Sequence, residues 1–125
     1  MREKLKKIVD EVGGPEKIES ILRAFYSQME KDILVGYFFS GKNLEHIILQ
    51  QKSFFLRSAG ITPSYSGKSP ARAHDQLPKI LKGHFDRRLV LLKQTLESFG
   101  LSQESIRDWI SFEESFRKAI VEEEA

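Results

Sequence analysis

The chain has 125 residues, with 20 Lys and Arg against 18 Asp and Glu, 3 His, 9 Phe and no Cys. That length suits one hydrophobic core, read as a single domain over 1–125, and a net charge of +2 argues against a dedicated nucleic-acid binder. The lack of cysteine excludes disulfides, thiolate metal ligands, a Cys nucleophile and a thioether-linked prosthetic group.

The apolar period is helical almost throughout. Leu5, Ile8, Val9 and Val12 share one face of a short first helix, which Gly13-Gly14-Pro15 breaks. Pro15 suits the first position of the next helix, where a missing N–H costs nothing. That helix carries Ile18, Ile21, Leu22, Phe25, Tyr26 and Met29, and it fades near Asp32. An aromatic turn, Tyr37-Phe38-Phe39, follows. Asn43 is the expected N-cap of a third helix, whose stripe is Leu44, Ile47, Ile48, Gln51 and Phe55. Residues 59–70 read as loop, and Ala71–Leu77 as a short helix ending near Pro78. Phe85, Leu89, Leu92, Leu96 and Phe99 predict the face of another long helix, stopped by Gly100. Ser102 caps a last helix with Ile106, Trp109, Ile110, Phe116 and Ile120 inward. No period-two alternation is present, so the fold class is all-α, with four substantial helices plus shorter pieces. No run approaches the roughly 20 apolar residues of a membrane span. The charged start, Met1 to Lys7, is not a signal peptide, and the expected location is cytoplasmic.

Two polar side chains interrupt apolar stripes. Gln51 stands four residues after Ile47 and four before Phe55, and Tyr26 lies on the inward side of the second helix. A buried amide or hydroxyl without a partner costs about 1–3 kcal/mol. Each alone reads as a polar tip reaching the protein edge. The pair reads better as the polar points of a mostly apolar cavity. His74 sits on the short helix after the Gly/Ser/Pro loop. Alone it reads first as a partly exposed helix-end residue, with axial ligation of an iron as the other reading. His46 lies in a polar arc with Asn43 and Gln50, and His84 opens the Phe85 helix at the surface.

The ordered set of these pieces resembles the truncated haemoglobins, small globins with a two-over-two helical sandwich. The resemblance runs from about Val12 to Leu101. It rests on Gly13-Gly14, Phe25-Tyr26, Tyr37-Phe38-Phe39, Gln50-Gln51-Lys52, Phe54-Phe55-Leu56, Tyr65-Ser66-Gly67 ahead of His74, and His84-Phe85-Asp86. It implies a non-covalently held haem b with His74 as proximal iron ligand. It implies that Tyr26 and Gln51 are the distal polar residues facing a bound diatomic ligand. Ile47 falls where many members have a polar gate. Phe39 would pack on the porphyrin, Phe55 would stand on a ligand tunnel, and Phe25 would help exclude water. Tyr65, with Lys68 or Arg72, would approach a propionate, and Phe85 would belong to the haem wall. Tyr26 with Gln51 favours the first subgroup. The tryptophan that another subgroup carries on the Phe85 helix is absent, and Arg87-Arg88 stand near its place.

The resemblance implies reversible binding of oxygen or another diatomic ligand. Nitric oxide dioxygenation would further need electrons from a reductase. Neither a nucleic acid nor a membrane is expected as partner. From another class, a cofactor-free helical interaction module would treat Tyr26, Gln51 and His74 as ordinary residues. A carboxylate di-metal bundle is excluded, because it needs Glu-x-x-His pairs and no Glu stands three before any histidine.

Overall fold

The computed structural model describes residues 1–62 and 78–122. Helix α1 spans Arg2–Val12 and buries Leu5, Ile8 and Val9. The amides of Gly13 and Gly14 both bond the Val9 carbonyl, at 3.2 and 2.9 Å, with Gly13 at φ 106°. That left-handed turn is one that glycine adopts without strain. Helix α2, Pro15–Lys31, starts on the proline as expected and buries Ile18, Ile21, Leu22, Phe25, Tyr26 and Met29. Beyond it a 3₁₀ turn, Gly36–Phe39, carries the aromatic corner. A Cβ on Gly36 would stand 2.6 Å from the Glu30 carbonyl oxygen, so the turn packs directly on the end of α2.

Helix α3, Leu44–Ser58, begins where Asn43 Oδ1 accepts the His46 amide at 3.1 Å. Helix α4 spans Lys82–Ser98. Helix α5, Gln103–Glu114, begins where the Ser102 side chain accepts the Ser105 amide. A last turn, α6, covers Arg117–Ile120. Helix α2 packs on α3, α4 packs on α5, and α2 also meets α4, so one helix pair lies over the other. Helix α1 closes the end against α2, α3 and α5. A single cluster of buried side chains runs through α1 to α5.

Two expected faces differ in detail. On α4 the buried residues are Phe85, Leu91, Leu92, Thr95 and Leu96, whereas Phe99 is 36% exposed. At about 100° per residue these positions span an arc of about 140°, and Arg88 falls near its middle. Tracing apolar residues alone tilts the face toward Leu89 and away from that charge. The last helix stops at Glu114 rather than running to Ile120. There the Ser115 hydroxyl bonds back to the Phe112 carbonyl at 2.5 Å, a local bond that competes with helix continuation. Phe112 is buried, while Ile110 and Phe116 only pack against the core edge. The expected helix over Ala71–Leu77 lies outside the described residues.

The start of α5 is tied to α1 by one carboxylate. Glu11 accepts from the Ser102 amide at 2.9 Å, the Ser102 hydroxyl at 2.7 Å and the Ser105 hydroxyl at 2.8 Å. The bond from the Ser102 amide is the main reason its carboxyl is held below the ordinary value of 4.5, with burial working the other way. Glu11→Ala is therefore expected to cost about 1–2 kcal/mol in urea unfolding at pH 7. Because the folded pKa is the lower one, this contribution is complete above pH 4.5 and disappears as pH falls through the folded value. The gap between the two proteins should close in acid.

Candidate functional site

Tyr26 faces inward from α2 and is 2% exposed. Its ring meets Phe25 edge-on at 5.0 Å and Phe39 at 5.8 Å, arrangements favoured by the ring quadrupoles. Its hydroxyl oxygen accepts a hydrogen bond from Arg88 Nη1 at 3.3 Å. The same guanidinium donates from Nε and Nη2 to Glu113 Oε2, at 3.2 and 3.1 Å. It also lies 4.9 Å from the Phe25 ring centroid and 5.7 Å from that of Tyr26, close enough for cation–π attraction. The Arg88 and Glu113 side chains are 18% and 13% exposed. A charge therefore runs from α5 through α4 to the phenol on α2.

Burial is the main influence on the Tyr26 phenol and pushes its pKa up. Arg88 pulls it back, and Glu113 adds to the rise. The group remains a protonated phenol at neutral pH. Burial opposes the charge on Arg88, but attraction to Glu113 and Tyr26 outweighs it and holds the guanidinium above its ordinary value.

The structure brings Phe25, Tyr26 and Phe39 together. Ile47 is partly buried against the core, and Gln51 is half-buried one turn further along α3. Phe55 is buried, its ring 4.5 Å from Trp109 and 5.9 Å from Phe112. Phe85 is buried at the start of α4 with the Arg117 guanidinium 4.7 Å from its ring. His74, Tyr65, Lys68 and Arg72 lie outside the described residues.

Two features escape a reading of apolar stripes. Arg88 is the first, although its spacing of three from Phe85 and four before Leu92 is a legible sign. His84 is the second. Its Nδ1 accepts the Leu81 amide at 3.0 Å, the service a glutamate performs in a capping box. Its Nε2 lies 3.3 Å from the Tyr37 hydroxyl, and its ring meets Phe38 edge-on at 5.1 Å. It thus fastens the aromatic corner to the start of α4. Asp32 does similar work: Oδ1 receives Arg87 Nη2 at 2.7 Å, and Oδ2 receives the Leu34 and Val35 amides at 3.1 and 3.3 Å. A separate groove of about 470 Å³ between α1 and α5 is lined by Lys4, Lys7, Asp10, Glu11, Glu104 and Asp108 among others. Its mixed charge suits no apolar ligand. Among the described residues no group of three or more His, Asp or Glu is placed to hold a metal. No described helix is long and apolar enough to cross a membrane.

The paired helices and the buried aromatic cluster define a globin of the two-over-two class. The family model for bacterial-like globins matches residues 7–122, and the chain belongs to that family, with the truncated haemoglobins. It is 29% identical over 98 residues to a group 1 truncated haemoglobin of Chlamydomonas moewusii, covering 78% of this chain and 57% of that protein. It is 28% identical over 101 residues to the group 1 truncated haemoglobin GlbN of Mycolicibacterium paratuberculosis, covering 81% of this chain and 74% of that one. The match thus spans little more than half of the algal relative. Among solved structures, truncated haemoglobin from Tetrahymena pyriformis in its Fe(III) form superposes with a TM-score of 0.83 at 26% identity, over 93% of this chain and 98% of the other.

The family is one of haem proteins, and the described residues around Tyr26 suit an apolar pocket with one polar point. The Tyr26 oxygen receives Arg88, yet its own proton goes to no described residue. A buried donor with no acceptor among the described residues, set among apolar and aromatic neighbours, fits a small ligand that accepts a hydrogen bond.

Removing one partner of the buried ion pair strands the other. Glu113→Gln is expected to cost about 2 kcal/mol in chemical denaturation, below the range for a fully buried pair because both side chains keep some exposure. Replacing Arg88 and Glu113 together by methionine should cost less than Glu113→Gln alone.

Proposed function

We propose that the chain holds haem b through His74 and binds oxygen or another diatomic ligand on the side of Tyr26 and Gln51. The observation that carries this reading is the buried Tyr26 phenol, protonated at neutral pH and without an acceptor for its proton among the described residues. The resemblance of the ordered motifs and the family membership support His74 as the proximal ligand. When bound, the haem supplies the iron that takes the diatomic ligand.

The chain's own residues then set the environment. Tyr26 donates a hydrogen bond to the electron-rich end of the ligand, and Gln51 supplies an amide donor beside it. Phe25, Ile47 and Phe55 exclude bulk water, which would otherwise favour oxidation of the iron. Phe39 and Phe85 contribute apolar wall, and Tyr65 approaches the polar edge. In the same reading the protein is cytoplasmic. With electrons from a reductase the site would support nitric oxide dioxygenation.

Trp109 is the sole tryptophan, wholly buried against Phe55, so its fluorescence reports on a nearby haem. Titration with hemin should quench it with a break at one equivalent and raise a sharp haem absorption band. His74→Ala should weaken binding strongly; a colourless wild type, or equal binding by the variant, would sink the reading. Oxygen dissociation, followed by stopped flow, should become about tenfold faster in Tyr26→Phe, equivalent to about 1.4 kcal/mol. Gln51→Leu should show a smaller acceleration. Unchanged rates in both would remove the distal assignment.

A further inference from the structure

We infer that Arg88, held by Glu113, is a positioning residue that makes Tyr26 an obligate hydrogen-bond donor toward the ligand and so biases the site toward ligands that accept hydrogen bonds. The inference rests on the distal role proposed for Tyr26.

Donors and lone pairs decide which way the phenol points. A neutral phenol has one O–H and an oxygen that accepts. A guanidinium has only N–H donors and no lone pair to offer. With Arg88 Nη1 at 3.3 Å from the Tyr26 oxygen, the phenol can meet Arg88 only as an acceptor. Its proton must therefore point away from Arg88. Phe25 and Phe39, which flank the ring, provide no conventional acceptor. No described residue accepts the proton, which leaves it for a small molecule that enters beside them.

A lone arginine would swing out to water rather than hold such a pose. Here two N–H groups close on Glu113 Oε2, at 3.2 and 3.1 Å, and the guanidinium lies 4.9 Å from the Phe25 ring centroid. The fork geometry uses Nε and Nη2 for the carboxylate and leaves Nη1 for the phenol. Glu113 also neutralises the charge, so the pocket receives an oriented dipole rather than an uncompensated cation. A phenol whose oxygen already accepts from a cation gives up its proton more readily to a second partner. The bias should therefore favour oxygen, whose bound form carries partial negative charge, over carbon monoxide, which accepts poorly.

The test compares the full chain with Arg88→Met, Arg88→Lys, Glu113→Gln and Tyr26→Phe. Arg87→Met is the control: it removes the bond to Asp32 one position away without touching the phenol. The first readout is the C–O stretch of carbon monoxide on the haem-loaded protein. A donor at its oxygen lowers that frequency. Arg88→Met and Glu113→Gln should move the band upward toward its Tyr26→Phe position, with Arg88→Lys between them and wild type. Arg87→Met should leave the band in place even if it lowers stability. The ratio of oxygen to carbon monoxide affinity should fall in the same order.

The second readout is the Tyr26 Cζ resonance in the full chain labelled with ¹³C-tyrosine, assigned by its loss in Tyr26→Phe. It should shift in Arg88→Met, Arg88→Lys and Glu113→Gln, and stay in Arg87→Met. This measurement needs no bound haem. If the chain takes up none, the functional reading fails while the Arg88–Tyr26 contact is still decided. An unmoved Tyr26 resonance in the Arg88 and Glu113 variants overturns the contact. An unmoved C–O band in the variants, where Tyr26→Phe does move it, overturns the positioning role. If Arg88→Met does not fold, the lysine and glutamine variants carry both readouts.

Discussion

A positive charge lies where three helices meet. Arg88 stands near the middle of the buried face of α4, between Phe85 and Leu92 on neighbouring turns. An arginine in such a position has to be paired and fully hydrogen-bonded, or the desolvation of its charge outweighs what packing returns. Glu113 from α5 and the Tyr26 hydroxyl from α2 meet that demand, and the Phe25 ring supplies an aromatic neighbour for the guanidinium. The pairing therefore constrains the register of α2, α4 and α5 at one point. An apolar contact tolerates a small slide, whereas an ion pair with two N–H donors on one carboxylate oxygen does not.

The remaining joints follow the same pattern at the ends of helices. Arg87 reaches Asp32, which also caps the Leu34 and Val35 amides beyond α2. His84 receives the Leu81 amide and approaches Tyr37. Both hold the aromatic corner against the start of α4. Glu11 performs the corresponding task between α1 and α5. The exposed pair Arg23 with Glu45 and the part-buried pair Lys52 with Glu19 bridge α2 and α3, and screening by solvent leaves the exposed pair a lesser share. Around the candidate site, rigid joints are thus placed on helices whose buried faces are mostly apolar. Of these joints, the Arg88–Glu113 pair alone bonds the Tyr26 phenol.

Much of this was legible one residue at a time. Pro15, Asn43 and Ser102 mark helix starts: the proline has no N–H to leave unpaired, and the Asn43 and Ser102 side chains each accept a first-turn amide. Gly13 ends a helix because it enters the left-handed region without strain. Tyr26 was readable as an inward phenol because α2 has a full apolar stripe to set its phase. On α4 the same method tilted the face, since Arg88 does not count as apolar, and its partner Glu113 lies 25 residues away. Phe112 lies off a stripe phased on Ile110, and the break at Ser115 rests on a local hydroxyl-to-carbonyl bond that apolar periodicity does not register.

The sequence by itself therefore determined the helical class, most helix ends, the inward placement of Tyr26 and the family resemblance that the bacterial-like globin match bears out. These depend on periodicity and on interactions within a few residues. Only the tertiary structure decided that Tyr26 meets an arginine, that the arginine is anchored from a third helix, and that Phe55 packs with Trp109. Those facts depend on how helices cross, and a crossing is chosen by the sum of many contacts between distant segments. No local pattern carries that sum. The buried charge supplies one term in it that admits few alternatives.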